Sequence, residues 1–340
     1  MNNRQWLLDS HPKGHVARSN FRRVDAAAPV RTEGQTVLVR HEAFLCAPTI
    51  RNWISGVRTK FQPAVQLGSP VLAPAVGTVV ESDDPRFPIG ARVAGTGTWQ
   101  DYGWINPNLG WRIVPEGVTA TEALGALGSN ALTAYFGVTE VARPVAGEQM
   151  LVSGAAGSVG SMAVQIARLQ GARVVAICGS AEKAHWLGTA CRADAVINYR
   201  EEDVGDRLDA LFPDGIDAFF DNVGGPLLSQ AIARMRLRGR IALCGQIATY
   251  DSGVDNPPLD MMRIIYGRIR MQGFLIPDYA SQYDAATAQL RAWIRAGQIV
   301  TREDVRSGFG DLPDIFKTLF RGENAGTLIV RIIDEEGRPL

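Results

Sequence analysis

Residues 149–167 read QMLVSGAAGSVGSMAVQIA, and the fold turns on how this stretch is read. A short apolar run, Met150–Val152, predicts a buried strand. Gly154, Gly157 and Gly160 follow at once, and Val159, Met162, Ala163, Ile166 and Ala167 then recur at helical spacing, which predicts a helix with one apolar face. Strand, glycine turn and helix in that order form the setting a dinucleotide-binding loop requires. Glycines let the backbone turn sharply and approach a pyrophosphate, whose charge faces the helix amino terminus. The spacing is GxxGxxG rather than GxGxxG, so on this motif alone a tight turn without a ligand stays open.

On the carboxyl side the chain alternates apolar strands with amphipathic helices. ARVVAI, a helix from Ala181, DAVIN, a helix from Glu201, GIDAFFDNVGG, a helix over Leu227–Met235, RIALCG and RMQGFLI succeed one another. Such alternation predicts an α/β, doubly wound parallel sheet of Rossmann type. The second strand ends in Ile177-Cys178-Gly179-Ser180 rather than in the Asp or Glu that would accept from a ribose hydroxyl, and Lys183 follows one turn later. A hydroxyl beside an ammonium suits a 2′-phosphate, although Glu182 could take the acidic role. On the amino side, residues 1–125 read as β-rich: TVLVRHEAFL alternates at period two, and VLAPAVGTVVES and IGARVAG follow between Gly and Pro. ATEALGALGSNALTAYFGVTEVA then reads as helical, and the late GTLIVRII returns to strand, which suggests that the tail folds back onto the first domain. The expected division is 1–125 with 301–340 as one domain and 126–300 as the other.

Bulk properties remove several function classes. With Lys+Arg 35 against Asp+Glu 35 the formal charge is zero, and no clustered cation points to nucleic acid. No apolar run approaches the ~20 residues that span a bilayer. The start, MNNRQWLLDSHPKG, lacks the apolar core of a signal peptide, which points to the cytoplasm. Cys46, Cys178, Cys191 and Cys244 lie far apart with no paired His, against a structural zinc site or a disulfide framework.

Beyond the glycine loop, LTAYFG (132–137), GSAEK (179–183), Asn198-Tyr199, DNVGG (221–225), GRIALCGQIATY (239–250) and GENAGTLIV (322–330) carry a resemblance that covers nearly the whole chain. The sequence resembles the zinc-independent medium-chain dehydrogenases/reductases, in the branch of prostaglandin reductases, alkenal double-bond reductases and curcumin reductases. The resemblance implies a GroES-like catalytic domain built from both chain ends, an inserted Rossmann domain, an active site in the cleft between them, and a homodimer joined around Met271–Ile276. It implies NADPH as cofactor, with Ser180, Lys183 and Tyr199 at the 2′-phosphate. Thr133 and the loop Ala155, Ala156, Gly157, Ser158 and Val159 would face the pyrophosphate or nicotinamide side. Asn222 and Asn324 would contact the nicotinamide ribose or nearby backbone, and backbone groups of Cys244, Phe274 and Ile276 would orient the carboxamide. Tyr250 would sit beside the reacting centre, as catalytic residue and pocket wall.

Two departures stand out. Where the family commonly shows Asp-Pro-Tyr-Met-Arg, this chain reads Ala47-Pro48-Thr49-Ile50-Arg51, so Thr49 replaces an aromatic pocket wall. The late Gly-Lys of the family is Gly326-Thr327 here. Zinc members place Gly-His-Glu where this chain has Gly68-Ser69-Pro70, and no ligand set replaces it, so no functional metal is expected. The implied activity is reduction of the carbon–carbon double bond of α,β-unsaturated aldehydes or ketones; a quinone reductase and a non-catalytic cofactor-binding protein are the alternatives.

Overall fold

The computed structural model describes residues 2–251 and 256–332, so the last eight residues of the expected 301–340 segment lie outside the described residues. The chain divides into two compact units, one running to Gly128 and resuming at Glu303, the other Ser129–Arg302.

In the second unit six strands form one sheet: Gln149–Val152, Arg173–Cys178, Ala195–Asn198, Ile216–Asp221, Met235–Leu243 and Arg270–Gly273. Every neighbouring pair is parallel. Across the sheet they lie third, second, first, fourth, fifth, sixth. The order reverses between the first and fourth strands, the place where open α/β sheets bind ligands at their carboxyl ends. The strands read as near-continuous apolar runs because helices cover the faces. Leu151, Val175, Ile177, Ile197, Phe219 and Ile241 form the core, each at most 1% exposed. Burial of each such side chain contributes roughly 1.5–3 kcal/mol.

The helix after the glycine loop, Ser158–Leu169, departs from the one-sided expectation: Gly160 to Ala167 are all buried, while Val159 is only half-buried. The helix packs against Ser129–Phe136 as well as the sheet, so both of its flanks are covered. The helix expected from Glu201 begins at Val204 instead. Asp203 is the better cap, accepting from the Asp206 amide at 2.9 Å, and Glu202 turns back to accept from the Asn198 amide at 2.8 Å. The helix expected over Leu227–Met235 is Gly225–Ala233, with Met235 already in the fifth strand. The last expected strand is short: it stops at Gly273, and Ile276 opens a 3-10 helix.

The long helical reading of 120–142 breaks into Ala120–Leu124, Ser129–Phe136 and a π-helical turn over Gly137–Ala142. Gly137 is required in that turn, since a Cβ there would lie 2.5 Å from the rings of Phe220 and Phe274.

The first unit is built on the strand Val37–Leu45, paired antiparallel with Leu72–Ser82, Tyr102–Ile105 and Thr327–Arg331. Its expected alternation is lost, because seven of its nine residues are buried, His41 among them. Among the described residues no helix is long and apolar enough to cross a membrane.

Candidate active site

The carboxyl ends of the first and fourth strands are tied together by one buried carboxylate. Asp221 is fully buried, and its Oδ1 accepts from Ser153 Oγ at 2.7 Å, from the Val223 amide at 3.0 Å and from the Gly224 amide at 3.1 Å. The Asn222 amide donates to Ser153 Oγ at 2.8 Å, and Asn222 Nδ2 donates to the Ser153 carbonyl at 2.7 Å. The glycine loop and the DNVGG turn are thus held as one piece. Burial pushes the Asp221 carboxyl above its usual range, while the Ser153 hydroxyl and the two amides pull the other way.

Within the loop, Gly154 takes the left-handed φ of +55°, which favours glycine. Gly160 is needed for close approach: a Cβ there would lie 2.3 Å from the Gly154 carbonyl oxygen and 2.7 Å from Ala155 Cα. The Ala155 amide is taken by the Ile177 carbonyl at 2.9 Å. Gly157 caps the following helix and brings no side chain to accept from its first turn. A twelve-residue helix ending in this way fits a phosphate, whose oxygens would accept where a capping side chain otherwise does.

Next to this loop, the Cys244 and Gly245 amides both donate to the Asp221 carbonyl, at 2.9 and 3.1 Å. The Cys244 amide is therefore committed, and only its carbonyl remains for the contact expected of its backbone. Burial, and then the charge of Asp221, push the Cys244 thiol up to about 12, so it is an inert thiol at neutral pH. Tyr250 ends the short helix Ile247–Tyr250 and folds back, so that a Cβ at Gly245 would lie 3.3 Å from its hydroxyl and equally far from the Asn222 carbonyl oxygen. The Tyr250 phenol thus stands beside Asn222 at the end of the fifth strand. Phe274 packs on Phe220 with ring centroids 6.2 Å apart. Ile276 is half-buried at the start of its 3-10 helix, and the Thr133 hydroxyl donates to the Ser129 carbonyl of its own helix at 2.8 Å.

A second group gathers at the ends of the second and third strands. Cys178 pairs with Asn198, so Gly179-Ser180 and Tyr199 leave the sheet side by side. A Cβ at Gly179 would lie 2.5 Å from the Tyr199 hydroxyl. Ser180 caps the helix Ala181–Thr189, accepting from the Lys183 amide at 3.3 Å. Lys183 is half-buried, and its ammonium pKa is lowered, first by desolvation and further by the charges of Arg200 and Arg302.

The remaining two expected residues lie in the first unit. Thr49 caps the short helix Ile50–Trp53, and Asn324 Nδ2 donates to the Gly326 carbonyl at 2.8 Å. Among the described residues no group of three or more His, Cys, Asp or Glu could hold a metal ion. Sequence reasoning missed Ser153 and Asp221 as the hub, and Arg200 and Arg302 as neighbours of Lys183. The acidic residue that closes the apolar run IDAFFD was the available signal for the first pair.

The chain matches two family models, the N-terminal domain of oxidoreductase over residues 4–112 and zinc-binding dehydrogenase over residues 158–292. It is 34% identical to the NADP(+)-dependent 2-alkenal reductase of Nicotiana tabacum, covering 98% of this chain and 99% of that one. It is 31% identical to the NADPH-dependent curcumin reductase of Escherichia coli, covering 98% of each. The crystal structure of CurA from Vibrio vulnificus in complex with NADPH superposes with a TM-score of 0.90 at 29% identity, covering 97% of this chain and 99% of that one. Fold, loop geometry and these similarities agree: the chain belongs to the medium-chain dehydrogenase/reductase superfamily, in the zinc-independent branch that includes the alkenal, curcumin and prostaglandin reductases.

Proposed function

We propose that this NADP-dependent oxidoreductase is an ene-reductase that uses NADPH to saturate the carbon–carbon double bond of α,β-unsaturated aldehydes or ketones. The observation that carries the reading is the pairing of two sites at the carboxyl ends of one sheet's strands. A glycine loop is fastened to Asn222 by Asp221, and Ser180, Lys183 and Tyr199 gather where an NAD-preferring site would place a carboxylate. The donor set fits NADPH: the Gly157-capped helix for the pyrophosphate, and the hydroxyls of Ser180 and Tyr199 with the Lys183 ammonium for the 2′-phosphate. The relatives named for alkenal and curcumin reduction support the substrate class.

When bound, NADPH supplies a hydride for the β-carbon. Tyr250 is the donor to the carbonyl oxygen as negative charge grows there, through its phenolic O–H. The Asp221 carboxyl in this group is engaged by Ser153 and by the Val223 and Gly224 amides, so we assign the α-carbon proton to water. Thr49 in place of an aromatic residue leaves room for a branched enone. The strand Arg270–Gly273 is the sheet edge and pairs, among the described residues, only with Met235–Leu243, which suits a homodimer joined strand to strand. Cofactor oxidation measured side by side with enals, enones, quinones and saturated aldehydes tests the reading. Turnover with enals and enones is expected; turnover confined to quinones would replace it with a quinone reductase, and no turnover with any of them would leave a cofactor-binding protein.

A further inference from the structure

An acidic residue stands where the 2′-phosphate reading can least tolerate one. Glu182 lies in the first turn of the Ser180-capped helix, next to Lys183, with its side chain 75% exposed. A carboxylate at the end of the second strand accepts from a 2′-hydroxyl and repels a 2′-phosphate. In this chain that carboxylate is occupied: Glu182 Oε1 accepts from Arg302 Nη2 at 2.7 Å. The hydrogen bond and charge of Arg302 hold the Glu182 carboxyl below its usual range.

Arg302 is itself held in place. Two residues earlier, Val300 is clamped by Gln165, only 4% exposed, which donates from Nε2 to the Val300 carbonyl at 2.9 Å and accepts from the Val300 amide at 2.8 Å. The guanidinium then lies 5.8 Å from the ring centroid of Trp186, one turn beyond Glu182 on the same helix. An exposed ion pair contributes little to stability, so its consequence lies in where it keeps a charge.

We propose that Arg302 is a specificity-determining positioning residue that holds the Glu182 carboxylate off the 2′-phosphate corner formed by Ser180, Lys183 and Tyr199, and so sets the preference for NADPH over NADH. The inference rests on the cofactor reading above. With Arg302 removed, Glu182 gains the freedom to accept from a 2′-hydroxyl, and the corner loses one positive charge.

Direct binding of NADPH, NADH and adenosine 2′,5′-bisphosphate, followed by titration without any substrate, tests this. Arg302→Ala is expected to weaken NADPH and the bisphosphate about fivefold to tenfold, with NADH unchanged or tighter. Arg302→Lys is expected to recover part of the loss. The double variant Arg302→Ala with Glu182→Gln is expected to return NADPH affinity to within about twofold of the wild type, because the repelling charge is gone. A double variant as weak as Arg302→Ala would overturn the proposal, as would an equal loss for NADPH and NADH with a lowered melting temperature. Failure of the wild type to bind the bisphosphate would instead sink the cofactor reading itself.

Discussion

Each unit buries a titratable side chain among close glycines, and the two do opposite things. In the first unit His41 is fully buried between Gly97 and Gly103, where added Cβ atoms would lie 2.7 and 3.1 Å from its ring. Its Nδ1 pairs with the Gln100 carbonyl at 2.8 Å, and its Nε2 has no hydrogen-bond partner among the described residues. In the second unit Asp221 has its Oδ1 filled by three donors, and in the loop beside it Gly160 brings backbone against backbone, at the Gly154 carbonyl oxygen and Ala155 Cα. Gly97 and Gly103 in the first unit make room for a side chain, and Gly160 in the second makes room for the backbone of its own loop. A buried polar group with every bond made rigidifies a site, whereas one left half-satisfied stays neutral and serves packing.

The sharpest way to break this contrast is a matched pair of glycine substitutions. Gly160→Ala drives a Cβ against the Gly154 carbonyl, and NADPH affinity is expected to fall roughly 100-fold, or ~2.7 kcal/mol. Gly97→Ala meets the His41 ring and Ala75 Cβ at 2.7 and 2.8 Å, and is expected to cost about 1–3 kcal/mol of stability while cofactor affinity holds. Denaturant melts and fluorescence titrations on both variants read the two effects, and a loss of affinity in Gly97→Ala would erase the distinction.

Acid separates the two buried groups by sign. Desolvation lowers the His41 pKa from 6.5 to about 4, so below 6.5 the unfolded chain takes a proton that the folded one refuses. Stability from this group is present above 6.5 and is lost as pH falls towards about 4, by up to ~3 kcal/mol. Asp221 is shifted upward, so it works in the other direction: protonation above the ordinary Asp range favours the folded state as pH falls. Equilibrium unfolding between pH 7 and 4 is expected to show falling stability with His41 present and a shallower fall in His41→Phe. Equal slopes would mean that His41 does not carry the acid sensitivity.

Two smaller effects refine the division of labour. Tyr250→Phe is expected to lower turnover ten- to a hundredfold, with NADPH affinity nearly unchanged. Wild-type turnover across several enones would leave the phenol beside Gly245 as packing. Thr49→Tyr is expected to slow bulky enones a few-fold more than small enals, which would give the first unit a share of the pocket. An unchanged ranking would confine recognition to the second unit.

Much of this was legible in sequence because it is local. The glycine loop, the absent carboxylate after Ile177-Cys178, and the helix from Ala181 each occupy a few consecutive residues, and period-two and helical spacing reveal the elements around them. What escaped is held by partners far apart in the chain. Ser153 and Asp221 are 68 residues apart, and Arg302 and Glu182 are 120 apart, so no local pattern joins them. The strand holding His41 misread for a related reason: alternation predicts one wet face, but Trp111 packs against His41 and the helix Ala120–Leu124 against the strand, both from distant segments.

The central claim, hydride delivery to a carbon–carbon double bond, is tested most directly by isotope transfer. The enzyme is given NADPH carrying deuterium at the transferable position of the nicotinamide, with an α,β-unsaturated ketone, and the product is read by mass and proton spectra. One deuterium at the β-carbon of a saturated ketone is the predicted result. Deuterium on the carbonyl carbon of an unsaturated alcohol, or reduction of quinones alone with no carbon-bound deuterium, would contradict it.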